Sequence, residues 1–182
     1  MKKKIVSFAS ILFLIFVVCS CQFSRKGNIN NIIQEWHGKE IVIPTDVVFK
    51  ILGRDTLCAS LWDASYKIFT NADSVGCSSC QLGLPLWKAF IDSCRLQKID
   101  IEFIFAVHSS NFKRFDGEVR IYDFDHPIIY DYKDSFDKLN HFPPAPYRTF
   151  LLDKDNKVLL IGSPINNPKM WELYQKVITQ SQ

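Results

Sequence analysis

Cys77 and Cys80, separated by two serines in the stretch GCSSCQLGLP, are the residues of this 182-residue chain best suited to chemistry. A thiolate with a second thiol in disulfide reach can exchange electrons with another disulfide. The same spacing can supply two metal ligands, or close a small structural loop. The pair alone leaves all three open, so the elements around it must decide.

Those elements favour a reactive pair. The run YKIFTN (66–71) reads as a strand. After the cysteines, Leu84, Trp87, Phe90, Ile91 and Cys94 recur at helical spacing. A strand before and a helix after put Cys77 at a helix N-terminus. Unpaired N–H groups and the positive dipole end stabilise a thiolate there. Such a setting lowers a cysteine pKa from about 8.5 into the range of roughly 3.5–7.5. Cys80, one turn on, is better shielded, so Cys77 is expected to attack and Cys80 to resolve. Pro85 falls five residues after Cys80, inside the helical run. An interior proline removes a hydrogen bond at a cost of about 3 kcal/mol, so a bend is expected there.

The rest of the chain alternates in the same way. INNIIQEWHG predicts a short helix ending at Gly38, and KEIVIP and DVVFKIL predict two strands around a Pro44–Thr45 turn. RDTLCASLWDAS has no period and reads as loop or short irregular structure. IDIEFIFAV (99–107) predicts a buried strand, and NFKRFDGEVRIYDF a helix with Phe112, Phe115, Val119 and Tyr122 on one face. PIIYD predicts a strand, SFDKLNHF a short helix, and RTFLLDKDNKVLLIG a hairpin turning at Asp153–Asn156. Asn167 and Pro168 then open a terminal helix striped by Trp171, Tyr174, Val177 and Ile178. Alternating strands and helices imply an α/β sandwich, and the hairpin makes its sheet mixed.

The N-terminus reads as a leader rather than as part of the fold. MKKK is a basic n-region, and IVSFASILFLIFVVC is an apolar h-region shorter than a comfortable membrane span. Ser20 before Cys21, with an aliphatic residue further back, fits the bacterial lipobox. The expectation is a signal peptide over 1–20 and lipidation of Cys21, followed by a tether and short helix over 21–38. Cys19 is the poorer acceptor, because Val17 and Val18 are bulkier than Ser20. The chain has 22 Lys and Arg against 19 Asp and Glu, and loss of Lys2, Lys3 and Lys4 with the leader leaves 19 of each. A net charge of zero leaves no basic surplus to attract nucleic acid. Export also places Cys58, Cys77, Cys80 and Cys94 where disulfides persist.

A strand, CSSC at a helix start, Pro85 five residues on and the hairpin TFLLDKDNKV resemble the thioredoxin fold over roughly residues 40–180. Within it, the chain resembles the membrane-anchored TlpA-like thiol–disulfide oxidoreductases and related redoxins. The resemblance implies a three-layer sandwich over 39–182, with a central mixed β-sheet flanked by helices. It implies dithiol–disulfide exchange in the cell envelope with protein thiols and an upstream redox partner, and no cofactor. It also implies a cis-proline loop that pairs with the substrate backbone, about two residues before the TF of the hairpin.

The chain departs from that pattern at three places. Gly76 stands where the family usually has tryptophan. Pro146 in APYRTF is one residue further from the TF, so either the loop bulges or Tyr147 or Arg148 faces the disulfide. Asn71 stands where thioredoxins bury an acid. Asp73 is a candidate proton acceptor from Cys80, although a solvated loop carboxylate is the preferred reading.

The expected function is therefore an envelope thiol–disulfide oxidoreductase, lipid-anchored and periplasm-facing or at the surface, at the outer membrane in preference to the inner. The alternatives are a binding lipoprotein with a permanent Cys77–Cys80 disulfide, and a metal-handling module in which His108 or His141 joins the thiolates. No metal site is assigned, and a thiol peroxidase lacks its TxxC pattern. Cys94, on an apolar helix face, is expected to be buried and inert. A Cys58–Cys94 disulfide is the weaker reading of those two residues.

Overall fold

The computed structural model describes residues 29–73 and 82–180. The chain divides into two compact units, Met1–Trp36 and His37–Gln182. In the first unit the described residues form one short helix, α1 (29–36).

The second unit is built on one seven-stranded mixed sheet. Its strands are β1 (Val48–Ile51), β2 (Arg54–Thr56), β3 (Lys67–Ala72), β4 (Glu102–Val107), β5 (Ile128–Tyr130), β6 (Thr149–Leu152) and β7 (Val158–Ile161), in the order β2-β1-β5-β4-β3-β6-β7. The central strands β3, β4 and β5 run parallel, while β1, β2, β6 and β7 add antiparallel edges. The helices are α2 (Leu84–Leu96), α3 (Phe112–Ile121), α4 (Ser135–Asn140) and α5 (Pro168–Gln180).

Alternation along the strands explains the layers. Ile68 and Ala72 of β3, and Phe103, Phe105 and Val107 of β4, pack with Trp87 and Ile91 of α2, Phe115 and Val119 of α3, and Tyr174 and Ile178 of α5. Side chains one residue out of phase point to the other face. There Phe69 and Phe150 pack with Phe136 of α4, Phe142 and Trp62. Both faces of the central strands are thus covered, as parallel strands require.

The local signals act as expected at several ends. The Asn111 side chain accepts from the Arg114 amide at 3.0 Å and opens α3, and Asn167 does the same for Met170 at 3.2 Å. Asp153 Oδ1 accepts from the amides of Asp155 and Lys157, both at 2.9 Å, which closes the β6–β7 hairpin.

Three expectations are corrected. KEIVIP is not a strand: only Glu40 bridges, to Lys157. The side chain of Asn140 takes up the backbone of Val42 instead, accepting from its amide at 2.8 Å and donating to its carbonyl at 2.9 Å. The segment read as loop or short irregular structure contains a strand, β2, formed by pairing with β1, while its 3-10 turn at Ala59–Asp63 fits the irregular reading. Tyr122 lies just beyond α3 and is 45% exposed, so it does not extend the buried stripe.

Candidate functional site

The C-terminal end of β3 opens into a cleft of about 430 Å³. Thr70, Asn71, Ala72 and Asp73 form one wall, Leu82, Gly83, Leu86 and Trp87 contribute a second, and Ala145, Pro146, Arg148 and Thr149 a third. Ser163 and Ile165 complete it from the loop after β7. Two of these walls converge because β3 and β6 pair in register, Thr70 opposite Thr149, with their hydroxyl oxygens 3.3 Å apart.

Cys77 and Cys80 lie in residues 74–81, outside the described residues, as does Cys21. The residues flanking that stretch, Asp73 and Leu82, both line the cleft. Leu82 is helical, Gly83 interrupts with φ +63°, and the helix resumes at Leu84. A left-handed residue at this break favours glycine. Pro85 was expected as a bend inside a helix. It stands in the first turn of α2, where no amide partner is lost, and the interruption falls at Gly83.

The Ala145–Pro146 peptide bond is cis. Pro146 is exposed at the cleft. The loop turns there, with the Tyr147 amide donating to the Pro144 carbonyl at 3.1 Å. Tyr147 is half-buried and is not among the cleft-lining residues, whereas Arg148 is. The extra residue between Pro146 and the TF is thus accommodated with the proline still in cis.

Asp73 is not simply solvated. Its Oδ2 lies 3.0 Å from Arg148 Nη1, and its side chain is 25% exposed. The same guanidinium donates from Nη1 to Asn71 Oδ1 at 3.1 Å and from Nε to the Pro143 carbonyl at 2.8 Å. Its Nη2 stands 3.3 Å from Asp137 Oδ1 of α4. Asn71, noted in the sequence for not being an acid, is buried and receives an arginine. No sequence signal pointed to Asp137 or Ile165, whose roles depend on contacts between distant segments.

The remaining candidates lie apart. His108 follows β4, and its Nδ1 bonds the Asp131 carbonyl at 2.8 Å. His141 caps α4 in a left-handed conformation and is exposed. Asp131 accepts from the amides of Ser135 and Phe136 and so fixes the start of α4. Burial pushes the Asp134 carboxyl up; His108 acts against this, and Asp137 and Asp131 add to it. Cys58 and Cys94 are free thiols. Cys94 is buried, and burial pushes its thiol up to about 11, which makes it a poor nucleophile. Among the described residues no helix is long and apolar enough to cross a membrane, and no cluster of three or more His, Cys, Asp or Glu forms a metal site.

No protein-family model matches the chain, and no curated protein matches it in sequence. Solved structures do match in fold. StoA from Bacillus subtilis aligns at TM-score 0.53 and 18% identity, over 72% of this chain and 98% of its own. The thioredoxin domain of a thiol-disulfide oxidoreductase from Bacteroides vulgatus aligns at 0.56 and 12%, over 78% and 97%. A thiol:disulfide interchange protein from Bacteroides sp. aligns at 0.55 and 11%, over 79% and 91%. The chain has a thioredoxin-like fold.

Proposed function

We propose that this chain is a dithiol–disulfide exchange protein whose working residues are Cys77 and Cys80. One observation carries the reading. Asp73 and Leu82, on either side of the cysteine stretch, line the same cleft as a proline in cis. The thioredoxin-like fold and the solved oxidoreductases that share it support the reading.

The Cys77 thiolate attacks one sulfur of a substrate disulfide; that S–S bond breaks, and the departing thiolate takes a proton. A mixed disulfide joins Cys77 to the substrate. Cys80 loses its proton and attacks Cys77 Sγ, forming the Cys77–Cys80 disulfide and releasing the second substrate thiol. Two electrons pass from the chain to its substrate. A second dithiol protein restores them, and no organic cofactor takes part. Asp73 is the nearest described carboxylate to the cysteine stretch in sequence, so it is the proposed proton acceptor, with Arg148 fixing one of its oxygens. Pro146 offers its loop to the substrate backbone.

Residues 1–20 act as a lipoprotein signal, Cys21 carries the lipid, 21–38 form the tether, and the domain faces its clients from the cell envelope.

A Cys80→Ser trap tests the reading. Cys77 should accumulate mixed disulfides with client proteins in cells, and lose them on reduction. Absence of such adducts, with the wild-type pair oxidised under all growth conditions, would instead support a binding lipoprotein with a permanent disulfide.

A further inference from the structure

Arg148 is 15% exposed, and its guanidinium contacts partners on three separate segments. Pro143 belongs to the loop that carries Pro146, Asn71 and Asp73 to the end of β3, and Asp137 to α4. Asp73 is the last described residue before the cysteine stretch, and Pro146 stands on another wall of the cleft. One planar group therefore ties those two walls together, beside the backbone bond from the Asn71 amide to the Arg148 carbonyl at 2.9 Å. Arginine suits this task because its donors form a rigid fork, whereas a lysine ammonium is a point charge on a flexible stem.

We infer that Arg148 is a positioning residue that holds the Pro146 loop in register with the end of β3, so that a protein disulfide docks along that loop in one register. The inference rests on the exchange reading above. A protein disulfide has to dock along the loop before it reacts, and a displacement of about 1 Å can cost about a hundred-fold in rate. A small soluble disulfide has no chain to dock and meets the thiolate directly. Loss of Arg148 should therefore separate the two substrates.

The test uses the full chain in detergent, as wild type, Arg148→Gln, Arg148→Lys and Asp137→Asn. Two reactions are followed: reduction of insulin with dithiothreitol as electron source, and single-turnover reaction of the pre-reduced protein with dithionitrobenzoate. In Arg148→Gln, kcat/KM for insulin should fall by about a hundred-fold, while the first release of nitrothiobenzoate, which needs the Cys77 sulfur but not proton transfer to Asp73, should fall by much less. Arg148→Lys should lose at least about ten-fold on insulin, because charge without the fork does not bridge the partners. Asp137→Asn should show a smaller loss in the same direction, and it carries the test if the Arg148 variants fail to fold by circular dichroism. Unchanged insulin turnover, equal loss in both reactions, or full rescue by lysine would each overturn the inference. A wild type inert towards both disulfides would overturn the exchange reading itself, and this inference with it.

Discussion

Arg148 and Asp73 pair across the end of the sheet, Nη1 to Oδ2 at 3.0 Å, with side chains only 15% and 25% exposed. Each is too shielded to count as a free surface charge. Desolvation opposes such pairs, so the pair persists only because other groups complete the guanidinium shell. Asn71 and the Pro143 carbonyl do that here. The carboxylate nearest the cysteines in sequence is thereby tied to the loop bearing the cis-proline, rather than being left to solvent.

That pairing is measurable apart from any activity. A double-mutant cycle over Asp73→Ala and Arg148→Ala, read by urea denaturation, should give a coupling of about 1 kcal/mol, at the upper end for a partly exposed pair. A coupling near zero would mean that the contact is incidental.

Cys94 predicts an alkaline weakness. Its thiol has an ordinary value of 9.0, and burial raises it to about 11 in the fold. Between those values the folded state keeps a proton that the unfolded chain has released. The contribution of Cys94 is complete below pH 9.0 and is lost as pH rises towards 11. Two units correspond to about 2–3 kcal/mol at most. Lys67, whose pKa burial lowers below 10.5, acts in the opposite direction, so the comparison has to be differential. Cys94→Ala should be less stable at neutral pH, from the cavity, yet lose less further stability between about pH 8 and about pH 10.5. Parallel stability curves for the two proteins would refute it.

Much of the architecture was legible because its signals are local. The periodic apolar runs of α2 and β4, the Asn111 and Asn167 caps and the Asp153 turn each lie within a few residues of what they organise. What was not legible depends on distance in the chain. β2 has three residues and exists by pairing with β1. KEIVIP reads as a strand until Asn140, 98 residues from Val42, takes its backbone groups. Pro146 was singled out through the resemblance, and its peptide bond is cis, but the clamp between Arg148 and Asn71 spans 77 residues and leaves no pattern. Pro85 shows the converse error: its distance from Cys80 was plain, while the break at Gly83 that moved it into a first turn depends on one backbone conformation.

His126 predicts the acid limb. It is 4% exposed, and its Nε2 bonds the Phe103 carbonyl at 2.8 Å, with Arg95 Nη2 3.3 Å from Nδ1. This arrangement suits a neutral ring that donates from Nε2 and accepts at Nδ1. Burial lowers its pKa below the ordinary 6.5; the Phe103 bond acts against this, Arg95 adds to the lowering, and Asp125 opposes it. Below 6.5 the unfolded chain binds a proton that the folded one refuses, so stability falls as pH drops through that window. His126→Gln should flatten the loss of stability between about pH 7 and about pH 5, measured by thermal unfolding. An unaltered slope would show that His126 protonates in the fold as easily as in the unfolded chain.

Lys67 is the most completely buried charge in the described fold, with no measurable exposure. Its Nζ donates to the carbonyls of Trp62, Ala64 and Lys154 at 3.0, 2.9 and 3.2 Å. Burial lowers its pKa below the ordinary 10.5, while Asp153, Asp155 and Asp63 act to raise it. The lowered value records a cost of desolvation, and the three carbonyls are what offset it. Lys67→Met keeps most of the volume and removes the charge, but it leaves three buried acceptors without their donor. Each orphaned group costs about 1–3 kcal/mol, so the expected net loss is about 2–4 kcal/mol in urea denaturation. Lys154→Met at the exposed hairpin turn is the control and should change stability by less than about 0.5 kcal/mol. A Lys67→Met protein as stable as wild type would mean that water satisfies those carbonyls equally well, and that the buried ammonium has no net stabilising role.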